Sequence, residues 1–317
     1  MSYPKEFQSH FRCPVCYNRL RTEKESFICE NAECGKTYPV VNGIPVLINE
    51  SNSVFTIQDF VQQRATTFGD DKGIMFKTFR KLIPSISINI KAKENYNKLL
   101  TLLKKQEHKA KVLILGGSII GEGIKDFLNS TDLVFLETDV TFGPRTQVII
   151  DAHNIPVEDS VFDCIIIQAV LEHVVDPYRC LSEIYRVLKK DGLIYAETPF
   201  MQQVHLAKYD FHRFTHLGHR RLFRYFSEIE SGSVCGPGMA LAWAYSYFIF
   251  SFTSSKKMRK LLIPFTSLTS FFWKYFDYYL INKPGTLDAA SGYFFLGRKS
   301  ESPISDKEIL KQYKGLL

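Results

Sequence analysis

Four cysteines near the start of the chain, Cys13, Cys16, Cys29 and Cys34, follow the spacing C-x2-C-x12-C-x4-C. Four thiolates in two pairs suit a closed tetrahedral zinc site, structural because no coordination position stays open for substrate. Further on, Val112-Leu-Ile-Leu-Gly-Gly-Ser118 leads into Gly121 and Gly123. Glycines here permit a tight turn and let backbone approach a ligand closely, so a nucleotide-type ligand is expected where the preceding strand ends. About twenty residues on stand Glu137 and Asp139. Either can accept both hydroxyls of a ribose, and the two compete for that role. Asp151, in Asp151-Ala-His-Asn-Ile-Pro156, can accept from an adenine amine. Two groups of histidines complete the reactive set: His173, beside Glu172, and the run His205-Leu-Ala-Lys-Tyr-Asp-Phe-His-Arg213. A histidine in such a place can take a proton from a hydroxyl, with Tyr209 or Arg213 positioning the partner. The alternative for His173 is a structural pair with Glu172, bonding loop backbone.

The elements that must hold these residues follow from periodicity. Leu20 to Ile28 suits a short hairpin between the cysteine pairs, and a module this small depends on its metal for stability. Tyr38 to Ile48 reads as two short strands around Asn42-Gly43. Residues 51–110 form a polar helical connector, in which Pro84 ends one helix. In a second, Tyr96, Leu99, Leu100 and Leu103 share a face; this connector either packs as a linker or closes over a ligand. Apolar runs predict strands at 112–115, 133–139, 147–150, 164–168, 193–197 and 292–297. A helix is expected from Gly121, carrying Ile124, Phe127 and Leu128 inward. Another starts at Asp176-Pro177, buries Leu181, Ile184, Tyr185 and Leu188, and stops at Asp191-Gly192. Strands alternating with helices imply a doubly wound, mostly parallel α/β sheet.

The chain has 317 residues, a net charge of +7 and seven cysteines. An odd cysteine count with four clustered argues for a reducing compartment, and the polar start shows no signal-peptide pattern, so a cytoplasmic protein is expected. Residues 231–255 carry no charge, are crowded with aromatics, and precede Lys256-Lys-Met-Arg-Lys260. A second aromatic run spans Phe271 to Tyr279. Residues 237–289 therefore read as a helical insertion. It caps the substrate pocket, makes peripheral membrane contact, or forms a dimer face. A spanning helix fits less well, because Gly236-Pro-Gly238 interrupts the run. The tail at 301–317 is polar and expected to fray.

Residues 11–48, with their cysteines and the ending Asn42-Gly-Ile-Pro-Val-Leu47, resemble the zinc-ribbon activator subunit of translation-related methyltransferases. From 110 to 230 the ordered set Val112–Ser118, Asp151–Pro156, Ser160-Val-Phe-Asp163, Ala169–Pro177 and Glu183–Gly192 resembles the seven-strand, class I S-adenosylmethionine-dependent methyltransferases. That resemblance implies a Rossmann-like sheet in a methyltransferase domain at 111–300, behind a zinc ribbon at 1–50. It implies a cofactor site of Gly116, Gly117, Ser118, Gly121, Glu137, Asp139, Asp151, Ala152 and Gln168. His205, His173, Tyr209 and Arg213 are then candidates for the acceptor side. In some quinone-type O-methyltransferases the region of His173 supplies divalent-metal ligands. Two positions depart from the pattern: Ile114 stands where the family often carries an acid for the methionine amino group, and Ser118 replaces a glycine.

The expected acceptor is a small molecule, such as a hydroxyl of a sugar or a lipid-linked intermediate. The competing readings are a non-catalytic binding module of the same fold and an RNA or protein methyltransferase. No Asn-Pro-Pro-Tyr-like run favours amino-group chemistry and no basic face interleaved with aromatics suggests DNA or RNA. A dinucleotide oxidoreductase fits worse, since a strict G-x-G-x-x-G is absent.

Overall fold

Short, branched apolar segments dominate the middle of the chain, and in the computed structural model they form the centre of one eleven-stranded sheet. The structure describes residues 3–64 and 83–316. The helix expected before Pro84 falls on residues 65–82, outside the described residues.

Strands β1 (Leu20–Glu23), β2 (Ser26–Cys29), β3 (Thr37–Val41) and β4 (Ile44–Leu47) make an antiparallel meander. Asn42 (φ 53°) and Gly43 (φ 80°) both lie in the left-handed region. The tight turn between β3 and β4 requires this. The central strands are β5 (Ala110–Leu115), β6 (Leu133–Asp139), β7 (Val148–Ile150), β8 (Phe162–Gln168) and β9 (Leu188–Pro199). With β10 (Phe226–Cys235) and β11 (Gly292–Lys299) the order is β1-β2-β3-β4-β7-β6-β5-β8-β9-β11-β10. Pairing is parallel from β4 through β9 and antiparallel on both flanks, so the whole sheet is mixed rather than mostly parallel.

The cysteine-bearing meander is part of the same sheet. Val46 pairs with Ile149 and Leu47 with Ile150 in parallel register. Val46, Leu47 and Ile48 are fully buried, which is why this apolar triplet ends the meander. Tyr3, Phe7, Phe11 and Phe27 extend the core under this edge, and Phe7 reaches Phe162 of β8 with ring centroids 5.8 Å apart. The meander therefore draws stability from this shared core and not from its metal alone.

Helix α1 (Ile57–Val61) follows the meander, and α2 (Ala92–Leu103) covers the opposite face of the sheet. Tyr96, Leu99 and Leu103 of α2 are buried. The helix expected from Gly121 is α3 (Lys125–Leu128), four residues long. Gly123 has φ +84°, and a Cβ there would lie 2.6 Å from the Ala92 side chain. The chain therefore cannot turn helical before it. Helix α4 (Pro177–Val187) starts as expected, with Asp176 accepting from the Arg179 N–H. It ends at Val187, not at Asp191-Gly192, because Leu188 turns extended and pairs with Phe162. Helix α5 (His216–Leu222) precedes β10, a strand without a clear sequence signal: Phe226-Ser-Glu-Ile-Glu-Ser-Gly-Ser-Val-Cys235 has few branched apolar residues and two register shifts.

Residues 237–289 hold α6 (Pro237–Phe250), α7 (Lys256–Ser270), α8 (Asp277–Leu280) and α9 (Thr286–Ala289), and β11 then closes the sheet. Asp277 is fully buried. It accepts from the N–H groups of Gly238 (2.7 Å) and Met239 (2.9 Å), which satisfies the first turn of α6. The tail is docked rather than frayed. Helix α10 (Asp306–Leu310) is capped by Ser305 and Glu308, Ile309 is buried, and Arg220 donates to Gln312 at 2.9 Å.

Candidate functional site

The carboxyl ends of β5 to β9 open into one cavity of about 460 Å³. The turn after β5 forms its floor. Gly116 has φ +78°, and a Cβ there would sit 2.3 Å from Val170 Cγ2. Only glycine fits. The Gly117 N–H bonds the Thr138 carbonyl at 2.9 Å, and the Ser118 N–H bonds the Asp139 carboxylate at 3.1 Å. Gly116, Gly117, Ser118, Gly121, Glu137, Asp139, Asp151, Ala152 and Gln168 all line this cavity.

The two competing acids at the end of β6 differ in their partners. Glu137 is held in a fork by Arg145, with bonds of 2.6 Å and 2.5 Å. Burial pushes the Asp139 carboxyl up, against the pull of its Ser118 bonds. Asp151 accepts from the His153 N–H (2.9 Å), His153 Nδ1 (2.6 Å) and Ser53 Oγ (2.5 Å). Ser53 thus reaches the cavity through Asp151, and Val54 and Phe55 line it directly.

Two buried carboxylates lie deeper. Glu197, directly after the Leu193–Ala196 stretch of β9, accepts from Tyr195 Oη (2.5 Å), Gln168 Nε2 (2.8 Å) and Asn89 Nδ2 (2.7 Å). Burial raises its pKa to about 7, and the three donors only partly offset this. Glu172 is fully buried and pushed up to about 8 by burial; its Oε2 has no hydrogen-bond partner. Among the described residues the cavity lining carries Glu122, Glu137, Asp139, Asp151, Glu172 and Glu197 against one guanidinium, Arg145, which is already paired. A cationic ligand fits such a lining; an anionic one does not.

His173 and His205 come together at the other end, ring centroids 4.8 Å apart. His173 Nδ1 donates to the Tyr209 carbonyl at 2.8 Å and His205 Nδ1 to the Gln203 carbonyl at 3.3 Å. Each ring therefore turns Nε2 toward Glu172 Oε1, at 3.6 Å for His173 and 3.9 Å for His205. Burial lowers both histidines, His173 to about 4, so both are neutral and their Nε2 atoms are free to accept a proton at neutral pH. The three ligand atoms lie within 4.8 Å of one another, close enough to hold a cation as well. Tyr209 lines the cavity, and its ring packs on Phe55 at 5.7 Å. Arg213 is spent on the loop, donating to the Gln202 carbonyl (2.7 Å) and to Asp210; its guanidinium does not line the cavity. The expected pairing of Glu172 and His173 with loop backbone holds for His173 alone among the two side chains.

Asn89, Arg145 and Glu197 are cavity residues that the sequence patterns pass over. Glu197 has a signal, a carboxylate inside an apolar strand. Asn89 has none, because its role depends on the connector folding back over β9. From the insertion, Met239 lines the cavity, and Trp243 stands 6.2 Å from His205 while donating to Ser87 Oγ at 3.1 Å. The inner face of α6 thus forms a wall of the histidine end.

The four N-terminal cysteines are free thiols whose sulfurs lie within 4.8 Å of one another. Cys13 and Cys34 are 3.7 Å apart, and Cys16 and Cys29 3.4 Å. A tetrahedron with Zn–S bonds of ~2.3 Å has edges of about 3.8 Å, so the set fits zinc.

Residues 128–196 match a family described as Methyltransferase domain. No curated protein matches the chain. Solved structures with similar folds include the Haemonchus contortus phosphoethanolamine N-methyltransferase 2 in complex with S-adenosyl-L-methionine, at 16% identity over 66% of this chain and 53% of that one, TM-score 0.40. The Burkholderia thailandensis 1,6-didemethyltoxoflavin-N1-methyltransferase is similar at 13% identity over 66% of this chain and 79% of that one, TM-score 0.40. The YcgJ protein of Bacillus subtilis is similar at 14% identity over 66% of this chain and 99% of that one, TM-score 0.38.

Proposed function

We propose that the chain is an S-adenosylmethionine-dependent methyltransferase acting on a hydroxyl of a small, partly apolar acceptor, such as a sugar or a lipid-linked intermediate. One observation carries this reading: a single cavity joins a carboxylate-rich end to a pair of neutral histidines. The matched methyltransferase segment supports the same class. The cofactor supplies a methyl group already activated by its sulfonium. Gly116–Ser118, Glu137, Asp139 and Asp151 would hold its nucleoside end. Glu197 offers the negative charge that Ile114 lacks, to a cationic group. The protein's main tasks are to align the acceptor and to remove its proton. His205 Nε2 takes that proton, and the ionised Asp210, whose carboxylate lies 3.4 Å from His205 Nδ1, stabilises the imidazolium that forms. Zinc at Cys13, Cys16, Cys29 and Cys34 keeps the sheet edge folded and stays away from the reaction.

Calorimetric titration of zinc-replete protein with S-adenosylmethionine, S-adenosylhomocysteine and NAD tests the class. Micromolar binding of the first two and none of the third is expected. A folded protein that binds neither, or prefers NAD, would overturn the reading and leave a binding module. Glu197 adds a pH signature. Its pKa in the empty cavity is raised to about 7, so folding stability it contributes at low pH is lost as pH rises through that value. Binding a cation reverses the sign: affinity should rise roughly tenfold or more from about pH 5.5 to about pH 8. Glu197→Gln should flatten that dependence. His205→Gln should leave cofactor affinity intact and lower methyl transfer into solvent-extractable material by roughly 10²–10⁴-fold.

A further inference from the structure

Helix α7 is amphipathic the wrong way round, and α6 is apolar all round. Along α7 and just past its end, Met258, Leu261, Phe265, Leu268 and Phe272 recur at alternating steps of three and four, and all are exposed. The opposite face, buried against the protein, carries Thr266, Ser267 and Ser270. Two of these turn their hydroxyls back onto carbonyls of their own helix, Ser270 at 2.6 Å and Thr266 at 3.2 Å. Little polarity is then left to satisfy inside. On α6 the buried positions include Gly238, Ala242 and Ser246, while Leu241 and Phe248 face out and Phe252 follows. Small residues between helices and large apolar residues outside is how helices pack when their surroundings are apolar. In water this face is a large unexplained apolar patch.

Neither helix can cross a bilayer. Helix α6 has 14 residues and α7 has one more. A helix of that size is about 21 Å to about 23 Å long, against a hydrocarbon core of about 30 Å. No helix among the described residues is long and apolar enough to span.

Charge selects the occupant. No carboxylate occurs between Glu230 and Asp277, and Asp277 is buried against the first turn of α6. Lys256, Lys257, Arg259 and Lys260 are exposed at the start of α7, beside the apolar stripe. A second copy of this face would bring one basic cluster against another with no acid to pair them. An anionic lipid surface supplies both the apolar depth and the opposite charge.

We infer that α6 and α7 lie in the headgroup region of an anionic membrane, with Phe265 and its neighbours inserted and Lys256 and Lys257 at the phosphates. The inference stands independently of the cavity's chemistry. It explains the geometry of α6, whose inner face lines the cavity with Met239 while its outer face stays apolar. A lipid-borne group could then enter from the bilayer.

The test is co-sedimentation of the full-length protein with vesicles of phosphatidylcholine alone and of phosphatidylcholine mixed with phosphatidylglycerol. Binding to the mixed vesicles should exceed binding to neutral ones by roughly tenfold or more and should weaken as salt is added. Leu261→Gln with Phe265→Gln should abolish it. Lys256→Gln with Lys257→Gln, at exposed positions with no packing to lose, should weaken it on the order of tenfold. Circular dichroism and thermal melting establish that both variants remain folded. No binding to either vesicle, or unchanged binding by both variants, overturns the inference. So does a dimer that dissociates on Phe265→Gln while vesicles stay unbound, which would assign the face to a second copy.

Discussion

Two additions flank the central sheet, and they are attached by opposite means. The cysteine-bearing meander joins through backbone: β4 extends β7 in parallel register, and Val46, Leu47 and Ile48 vanish into the core. The helical insertion between β10 and β11 is tied within itself by the buried Asp277 and joins the rest through side-chain bonds to the connector, Trp243 to Ser87 and Lys274 to the Ser85 carbonyl, leaving many of its large apolar residues outside. The meander uses its apolar residues to complete the fold. The insertion keeps its own for something else. Each also contributes to the cavity, the meander side through Ser53 on Asp151 and the insertion through Met239.

This contrast breaks first if the meander proves dispensable. Cys16→Ser with Cys29→Ser, or chelation of metal, should cost several kcal/mol, since thiolate–zinc binding is coupled to folding of the meander. The loss should spread beyond the meander, because β7 loses its edge partner and Phe7 its seat on Phe162. Hydrogen exchange should report faster opening at Ile149 and Ile150 together with the meander. If exchange rises in the meander alone, the shared sheet carries no cooperativity and the two are separate units.

A smaller effect is expected at the other end. Asp277→Ala removes the acceptor of two buried N–H groups, at about 1–3 kcal/mol per unsatisfied group. The damage should stay local: exchange at Gly238 and Met239 should rise while β5 and β8 remain protected. A global loss of protection would show that the insertion is as much a part of the core as the meander is.

The same contrast explains what can be read in the sequence. The central strands and α4 are legible because a strand buried on both faces has to be a continuous apolar run, as at Cys164–Ile167, and because Asp176-Pro177 carries its own capping chemistry. The glycine turn and the acids Glu137, Asp139 and Asp151 are legible for the same local reasons. The meander's cysteines are visible but its docking is not, since parallel pairing of Val46–Leu47 with Ile149–Ile150 joins segments far apart in the chain. Strand β10 escapes notice because its hydrogen bonds to β11 substitute for intrinsic propensity. Glu172 and Glu197 stand out as acids, but the burial that raises them comes from α2, the connector and the loop around Asp210. The inversion of α7 is hidden, because a 3–4 apolar repeat reads as a buried face wherever it occurs.

The smallest expected effect sharpens the comparison most. Phe27 in the meander is fully buried and Phe265 on α7 is half-exposed, although both are phenylalanines amid apolar neighbours. Phe27→Ser should cost about 3–5 kcal/mol, the usual range for losing a buried aromatic ring. Phe265→Ser should change stability by no more than about 0.5 kcal/mol, because much of its ring stays in water when the chain folds. Denaturant titration of the two variants side by side measures the difference. A large loss at Phe265 would mean that the face is already covered in solution by another copy, and its stability would then depend on protein concentration. Equal stability with wild type, at every concentration, leaves the stripe as surface that folding itself does not use.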